Sequence, residues 1–340
     1  MRVVITGNPQ AGQQQLFSVL TGISMDTVSQ KPMEVQQGIC EVRDPRIKKL
    51  SQMYKPKKTT YAKIEYTLLP DFNLQGPTKA LVFTELKNAD EICWVCASGT
   101  AKDDIDSFVS ELVISDMVLI EKRLESIEKD QKRKFLEERE KEKAILSGFK
   151  KLVDEGTILR GVTLSEEDWK IVKTLQLLSL KPIVCAINAE EGEKPEEAIK
   201  FAKETYQINA VVMNAQLEEE IGRLPEAERE EFMKELGIDE PAIDKMTRIV
   251  FSELGLISFF TVGEDEVRAW PIRKGSNAAE AGGAIHSDIA KGFVRAELMK
   301  YADLIEQGSE AKLKETGKFN LKGRDHIVED SDIMNFRFNV

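Results

Sequence analysis

Cysteine and histidine are scarce, long apolar runs are missing and there is no basic excess. Four cysteines, Cys40, Cys93, Cys96 and Cys185, are scattered through 340 residues, too few for a disulfide framework. Cys93 and Cys96 spell C-x-x-C inside the apolar run 92–97, but in a strand an offset of three points side chains to opposite faces. No second pair completes a zinc site, so a buried strand is expected there and no metal. His286 and His326 are the only histidines; neither lies near a nucleophile or ligand cluster in sequence, so structural roles are expected and no catalytic set can be nominated. No apolar run approaches the roughly 20 residues of a bilayer span. The opening Met1-Arg2-Val3-Val4-Ile5-Thr6-Gly7 breaks into Gly and Pro too soon for a signal-peptide core, so a cytoplasmic protein with no membrane partner is expected. A net charge of −11 argues against a general polyanion binder, DNA included, while leaving room for a local basic face.

Hydrophobic residues at 41% and charged residues at 31% mark a globular chain, long enough for two or three cored units. Val3-Val4-Ile5 is a short apolar run, 7–12 a glycine-bounded loop, and Leu16, Phe17, Val19 and Leu20 the apolar stripe of a helix. A nucleotide-binding βα unit begins that way. The runs 92–97 and 182–187 are apolar on both faces, as central strands of a parallel sheet tend to be, and a doubly wound α/β domain is expected.

Between those strands, residues 106–180 are rich in Glu, Lys, Leu and Arg. Met117, Ile120, Leu124 and Ile127 recur at spacings of three and four, as in a coiled-coil seam. The pattern fades over 128–134 and resumes with Ile145, Phe149 and Leu152, predicting two long antiparallel helices. Thr163, with Glu166 three residues on, predicts a capped helix carrying Trp169, Ile171, Val172 and Leu175. After 187 the α/β pattern resumes through Val211-Val212-Met213 and an acidic helix near Leu217. From Gly255, β-rich runs at 257–262, 267–272, 293–298 and 333–340 predict a smaller α+β unit.

With those pieces placed, the sequence resembles the YchF/Obg-like ATPase family over nearly its whole length. The stretches 259–275, with Thr261-Val262-Gly263-Glu264-Asp265-Glu266-Val267-Arg268-Ala269-Trp270 within it, 285–297, beginning Ile285-His286-Ser287-Asp288-Ile289, and 332–340, ending Asn335-Phe336-Arg337-Phe338-Asn339-Val340, carry the resemblance most strongly. It implies an α/β fold: a P-loop GTPase-like doubly wound sheet (1–105 and 181–255), interrupted by an α-helical coiled-coil arm (106–180) and followed by a small ubiquitin-like TGS domain (256–340). It also implies a ribosomal or RNA-containing partner. Composition does not add to that, since 256–340 holds 12 Lys and Arg against 14 Asp and Glu; Arg268, Arg273 and Lys274 are the candidates for a local basic rim.

A P-loop needs Gly-x-x-x-x-Gly-Lys-Ser/Thr: glycines let backbone amides wrap the phosphates, Lys neutralises β/γ charge, and the hydroxyl holds Mg²⁺. Here Gly7 and Gly12 keep the frame, but Gln13 stands for the Lys and Gln14 for the hydroxyl. Phosphoryl transfer depends on positioning and charge neutralisation, so both losses fall on the mechanism. The family's first-switch Thr is replaced near Met33, and its second-switch Asp aligns with Leu68; Asp71 and Gly76 lie nearby at the wrong spacing. Asn188-Ala189-Glu190-Glu191 matches the family's base-reading Asn-x-x-Glu, with Asn188 and Glu191 as candidates, and Asn214-Ala215-Gln216 stands for its Ser-Ala-Lys. The expectation is a pseudo-NTPase acting as a binding scaffold, with no required cofactor and any ATP or GTP binding weak and Mg²⁺-independent. The alternatives are a weak ATPase or GTPase retaining nucleotide through Asn188 and Glu191, or a module working through the arm alone.

Overall fold

The computed structural model describes residues 1–73, 75–131 and 137–339. It divides into two compact units, Met1–Ile39 with Glu65–Met246 and Cys40–Ile64 with Thr247–Val340. Strands β1 (Arg2–Gly7), β2 (Gln36–Val42), β4 (Ala62–Leu68), β5 (Glu91–Ala97), β6 (Ile183–Asn188) and β7 (Asn209–Met213) form a sheet in the order β2-β4-β1-β5-β6-β7. The pairs β1/β4, β1/β5, β5/β6 and β6/β7 are parallel. Helices cover both faces of such sheets, which is why β1, β5 and β6 are apolar almost throughout and buried. Cys93 and Cys96 lie fully enclosed in β5 as free thiols, and burial pushes the Cys93 thiol above its usual range. The chain runs from β1 to β4 on one side and β5 lies on the other, so the carboxyl end of β1 opens onto the crevice where α/β sheets bind ligands.

The arm consists of a helix Ala101–Gln131 and a helix Glu137–Asp154. Ile120 and Ile127 from the first, with Leu146, Phe149 and Val153 from the second, are buried in one cluster; Met117, Leu124, Ile145 and Leu152 pack beside it. Residues 132–134 of the expected polar stretch lie outside the described residues. Glu142 joins the two helices, accepting from Arg123 Nε at 2.6 Å and Arg139 Nη1 at 3.0 Å. At the arm's base the buried Asp116 carboxylate accepts from Leu178 N (2.8 Å), Ser179 N (2.7 Å) and Ser179 Oγ (2.6 Å), fastening the first helix to the chain returning into β6. The next helix, Glu166–Val172, is capped by Ser165 rather than Thr163: Ser165 is extended and its hydroxyl accepts from Asp168 N at 3.1 Å. Two hydroxyl residues two apart offer the same signal, and the one whose backbone turns into the helix takes the role.

In the second unit β3 (Lys58–Thr60), β8 (Leu256–Thr261), β9 (Glu266–Arg273), β10 (Phe293–Lys300), β11 (Asn320–Lys322) and β12 (Asp332–Phe338) form a sheet in the order β11-β10-β12-β8-β9-β3. Phe259, Ala278, Ala281, Ala296 and Leu298 fill its core. Residues 40–64 belong here rather than with their neighbours in sequence. β3 pairs in parallel with β9, Lys58 opposite Glu266, and Thr60 Oγ1 donates to Glu266 at 2.6 Å. Tyr54 Oη donates to Glu310 at 2.7 Å, and the Arg46 guanidinium bridges Asp44 and Asp330. A Lys-Thr-Thr strand has no apolar signature of its own; its hydrogen bonds come from the edge of a sheet whose other strands lie about two hundred residues on.

Candidate functional site

The loop after β1 passes through Gly7 and Gly12, where a side chain at either would collide with a neighbour. A Cβ on Gly7 would lie 2.4 Å from the Val95 carbonyl oxygen, and Gly12 adopts φ +100° as the residue before the helix Gln13–Thr21. A Cβ on Gly12 would also lie 2.6 Å from Asn188 Nδ2. Asn188, at the end of β6, therefore packs directly on the loop, and its Oδ1 accepts from Ala215 N at 3.1 Å. The neighbouring Asn214 caps the helix Ala215–Arg223, accepting from Gln216 N and Leu217 N at 3.1 and 3.0 Å. Two of the expected base-site segments thus meet beside the loop. Glu191 is exposed in the turn that follows β6, away from these hydrogen bonds.

Gln13 is only 3% exposed. Its Nε2 donates to Asp71 Oδ1, while its Oε1 is buried with no partner among the described residues. The segment after β4 reaches that place by extending along β1: Leu69 N donates to Ile5 O at 3.0 Å and Phe72 N to Gly7 O at 2.8 Å. In sequence, Asp71 and Gly76 have the wrong spacing for the second-switch Asp-x-x-Gly. Counted from Leu68, the residue expected at the place of the second-switch Asp, Asp71 is the fourth, where Asp-x-x-Gly would have its glycine. Within the loop, Asn8 Nδ2 donates to Asp104 Oδ1 at 2.7 Å, and Thr100 Oγ1 donates to Asp104 Oδ2 at 2.7 Å. The first arm helix is thereby tied to the loop. Gln14 is half-buried, Leu68 buried and Met33 exposed.

The three basic candidates do not form one cluster. Arg268 lies over the Trp270 ring, 3.7 Å from its centroid, with Glu266 at 3.9 Å. Arg273 ends β9, about 16 Å along the strand, and Lys274 begins the turn that follows. There Lys274 lines a cavity of about 740 Å³ in the second unit, together with Arg46, Phe251, Leu256 and Ile327.

A glycine-framed loop between the central strand and a helix, flanked by an asparagine from the end of β6, two strands away in the sheet, defines a P-loop GTPase-like protein with a helical arm. The comparisons with known proteins agree. The family model YchF-GTPase_C, described as a protein of unknown function (DUF933), matches residues 256–339. A protein of Bacillus subtilis (strain 168) named Ribosome-binding ATPase YchF is 35% identical over 362 residues, covering 99% of this chain and 98% of the relative. One of the same name from Escherichia coli O157:H7 is 31% identical over 359 residues, again covering 99% and 98%. The solved Schizosaccharomyces pombe YchF GTPase superposes with a TM-score of 0.85 at 26% identity, covering 99% of this chain and 97% of that one. The chain belongs to the YchF family.

Proposed function

We propose that the chain is a pseudo-NTPase: a binding protein on a P-loop frame that associates with ribosomes or an RNA-containing complex in the cytoplasm, its nucleotide hydrolysis lost or strongly impaired. The observation that carries this is Gln13. The position that should present an ammonium to β/γ-phosphates carries a neutral amide, buried and engaged with Asp71. Gln14 beside it has no hydroxyl for Mg²⁺. The names of the relatives support the ribosomal partner, and the family-like segment from 256 onward, with the arm 106–180, is the frame on which a TGS-like docking surface would lie. A switch must distinguish two ligand states by differential contacts; without a γ-phosphate grip, partner binding is constitutive.

Co-sedimentation of the full-length chain with ribosomes tests this. Asn188→Ala/Glu191→Ala should sediment like the parent with or without nucleotide, while Arg268→Glu or Arg273→Glu/Lys274→Glu should weaken the association. A nucleotide-dependent association lost only in the base-site variant would replace this reading by a gated one. One observation favours a second reading, a weak nucleotide binder: Asn188 is still held between Gly12 and Ala215. Calorimetric titration with ATP and GTP, with and without Mg²⁺, separates the two; any binding should be weak and indifferent to Mg²⁺.

A further inference from the structure

The loop is altered by more than the loss of a cation. An acidic side chain from a different element sits on the residue that replaced it. Hydrogen bonds from Leu69 and Phe72 to β1 and Gly7 carry residues 69–72 to the loop's mouth, and Asp71 takes the one donor that Gln13 directs there. Gln13 is 3% exposed, so its amide has little freedom to serve a second acceptor. In proteins that switch on a triphosphate, the second switch segment is ordered by γ-phosphate and Mg²⁺ contacts and released on hydrolysis. Here an internal hydrogen bond orders the corresponding segment instead.

We propose that Asp71 is a built-in anion that closes the phosphate cradle, holding the segment after β4 against the loop without nucleotide and excluding the triphosphate chain by like-charge repulsion. This rests on the pseudo-NTPase reading and adds to it that the exclusion has one source and can be lifted. The repulsion acts at short range in a half-buried setting, where salt screens it poorly. It also predicts that restoring the cation alone is not enough. A lysine at position 13 would find Asp71 first and be neutralised by it, so the substitutions are coupled rather than additive.

The test is affinity of the full-length chain for ATP and GTP by competition with a fluorescent triphosphate, with adenosine and guanosine as uncharged controls. The proteins are the parent, Asp71→Ala, Asp71→Asn, Gln13→Lys and Gln13→Lys/Asp71→Ala. Asp71→Asn keeps an acceptor for Gln13 and removes only the charge, so it guards against a variant that fails to fold. Both Asp71 variants should bind at least one of the two triphosphates roughly tenfold or more tightly than the parent, with nucleoside affinity unchanged. The double variant should gain more than the product of its singles. The proposal is overturned if both Asp71 variants bind triphosphates no more tightly than the parent, or if nucleosides gain equally, or if Gln13→Lys gains as much with Asp71 present as without it. Hydrolysis by the parent chain would instead overturn the pseudo-NTPase reading, a separate readout on the same samples.

Discussion

Gly12→Ala asks whether the loop and Asn188 form one mechanical unit. Two costs fall on the added methyl. At φ +100° an L side chain is strained by about 1–2 kcal/mol. The new Cβ would also meet Asn188 Nδ2 at 2.6 Å, well inside contact distance, so the amide has to swing away. Its Oδ1 then leaves the Ala215 N–H now 3.1 Å away, a loss of about 1 kcal/mol. The total is roughly 2–3 kcal/mol, a fall of about 4–12 °C in the Tm of the first unit. Only the second cost involves Asn188, and Asn188→Ala removes that same hydrogen bond. The double variant should therefore cost about 1 kcal/mol less than the sum of the singles. Urea unfolding followed by circular dichroism and tryptophan fluorescence measures the cycle. Additivity within about 0.3 kcal/mol would refute the coupling and place Asn188 apart from the loop in solution.

Gln13→Lys/Gln14→Ser is expected to leave ATP and GTP turnover at the level of a no-enzyme blank, because Leu68, Met33 and Asp71 are also altered and interdependent catalytic parts do not restore singly; phosphate-release kinetics at saturating Mg²⁺ check it. Asp116→Ala strands the amides of Leu178 and Ser179 and the Ser179 hydroxyl, and should lower stability by roughly 3 kcal/mol, read by chemical denaturation. Burial alone would raise the Glu142 carboxyl, but Arg123 and Arg139 outweigh it and hold it below its usual range. The Glu142 contribution is therefore full above the ordinary glutamate value near about pH 4.3 and lost as pH falls through the lowered one. The stability difference between parent and Glu142→Gln should be constant from pH 7 to 5 and shrink below pH 4; a difference that grows there contradicts the assignment.

Several features were legible in the sequence because they are encoded by contiguous residues. The glycines at 7 and 12 signalled a wrapped loop, and Gly12 at φ +100° explains why that position takes no side chain easily. Unbroken apolar runs signalled buried parallel strands, and β5 and β6 are such strands. The three-and-four spacing around Ile120 and Ile127 signalled a helix face that is indeed buried. The missing ammonium and hydroxyl at Gln13 and Gln14 were plain from residue identity alone.

Tertiary structure alone decided what those residues meet. Asp71 lies 58 positions from Gln13, and its spacing in sequence matched no motif; hydrogen bonds from the flanking backbone of Leu69 and Phe72 to β1 deliver its carboxylate to the loop. Residues 58–60 have no strand signature, yet they complete a sheet because the edge of β9, 206 positions on at Thr60 and Glu266, offers unpaired backbone groups. Local patterns fix which face of an element is buried, through the periodicity of its own side chains. Which distant acid or strand edge then fills a particular place depends on how the elements pack, and no local periodicity encodes that.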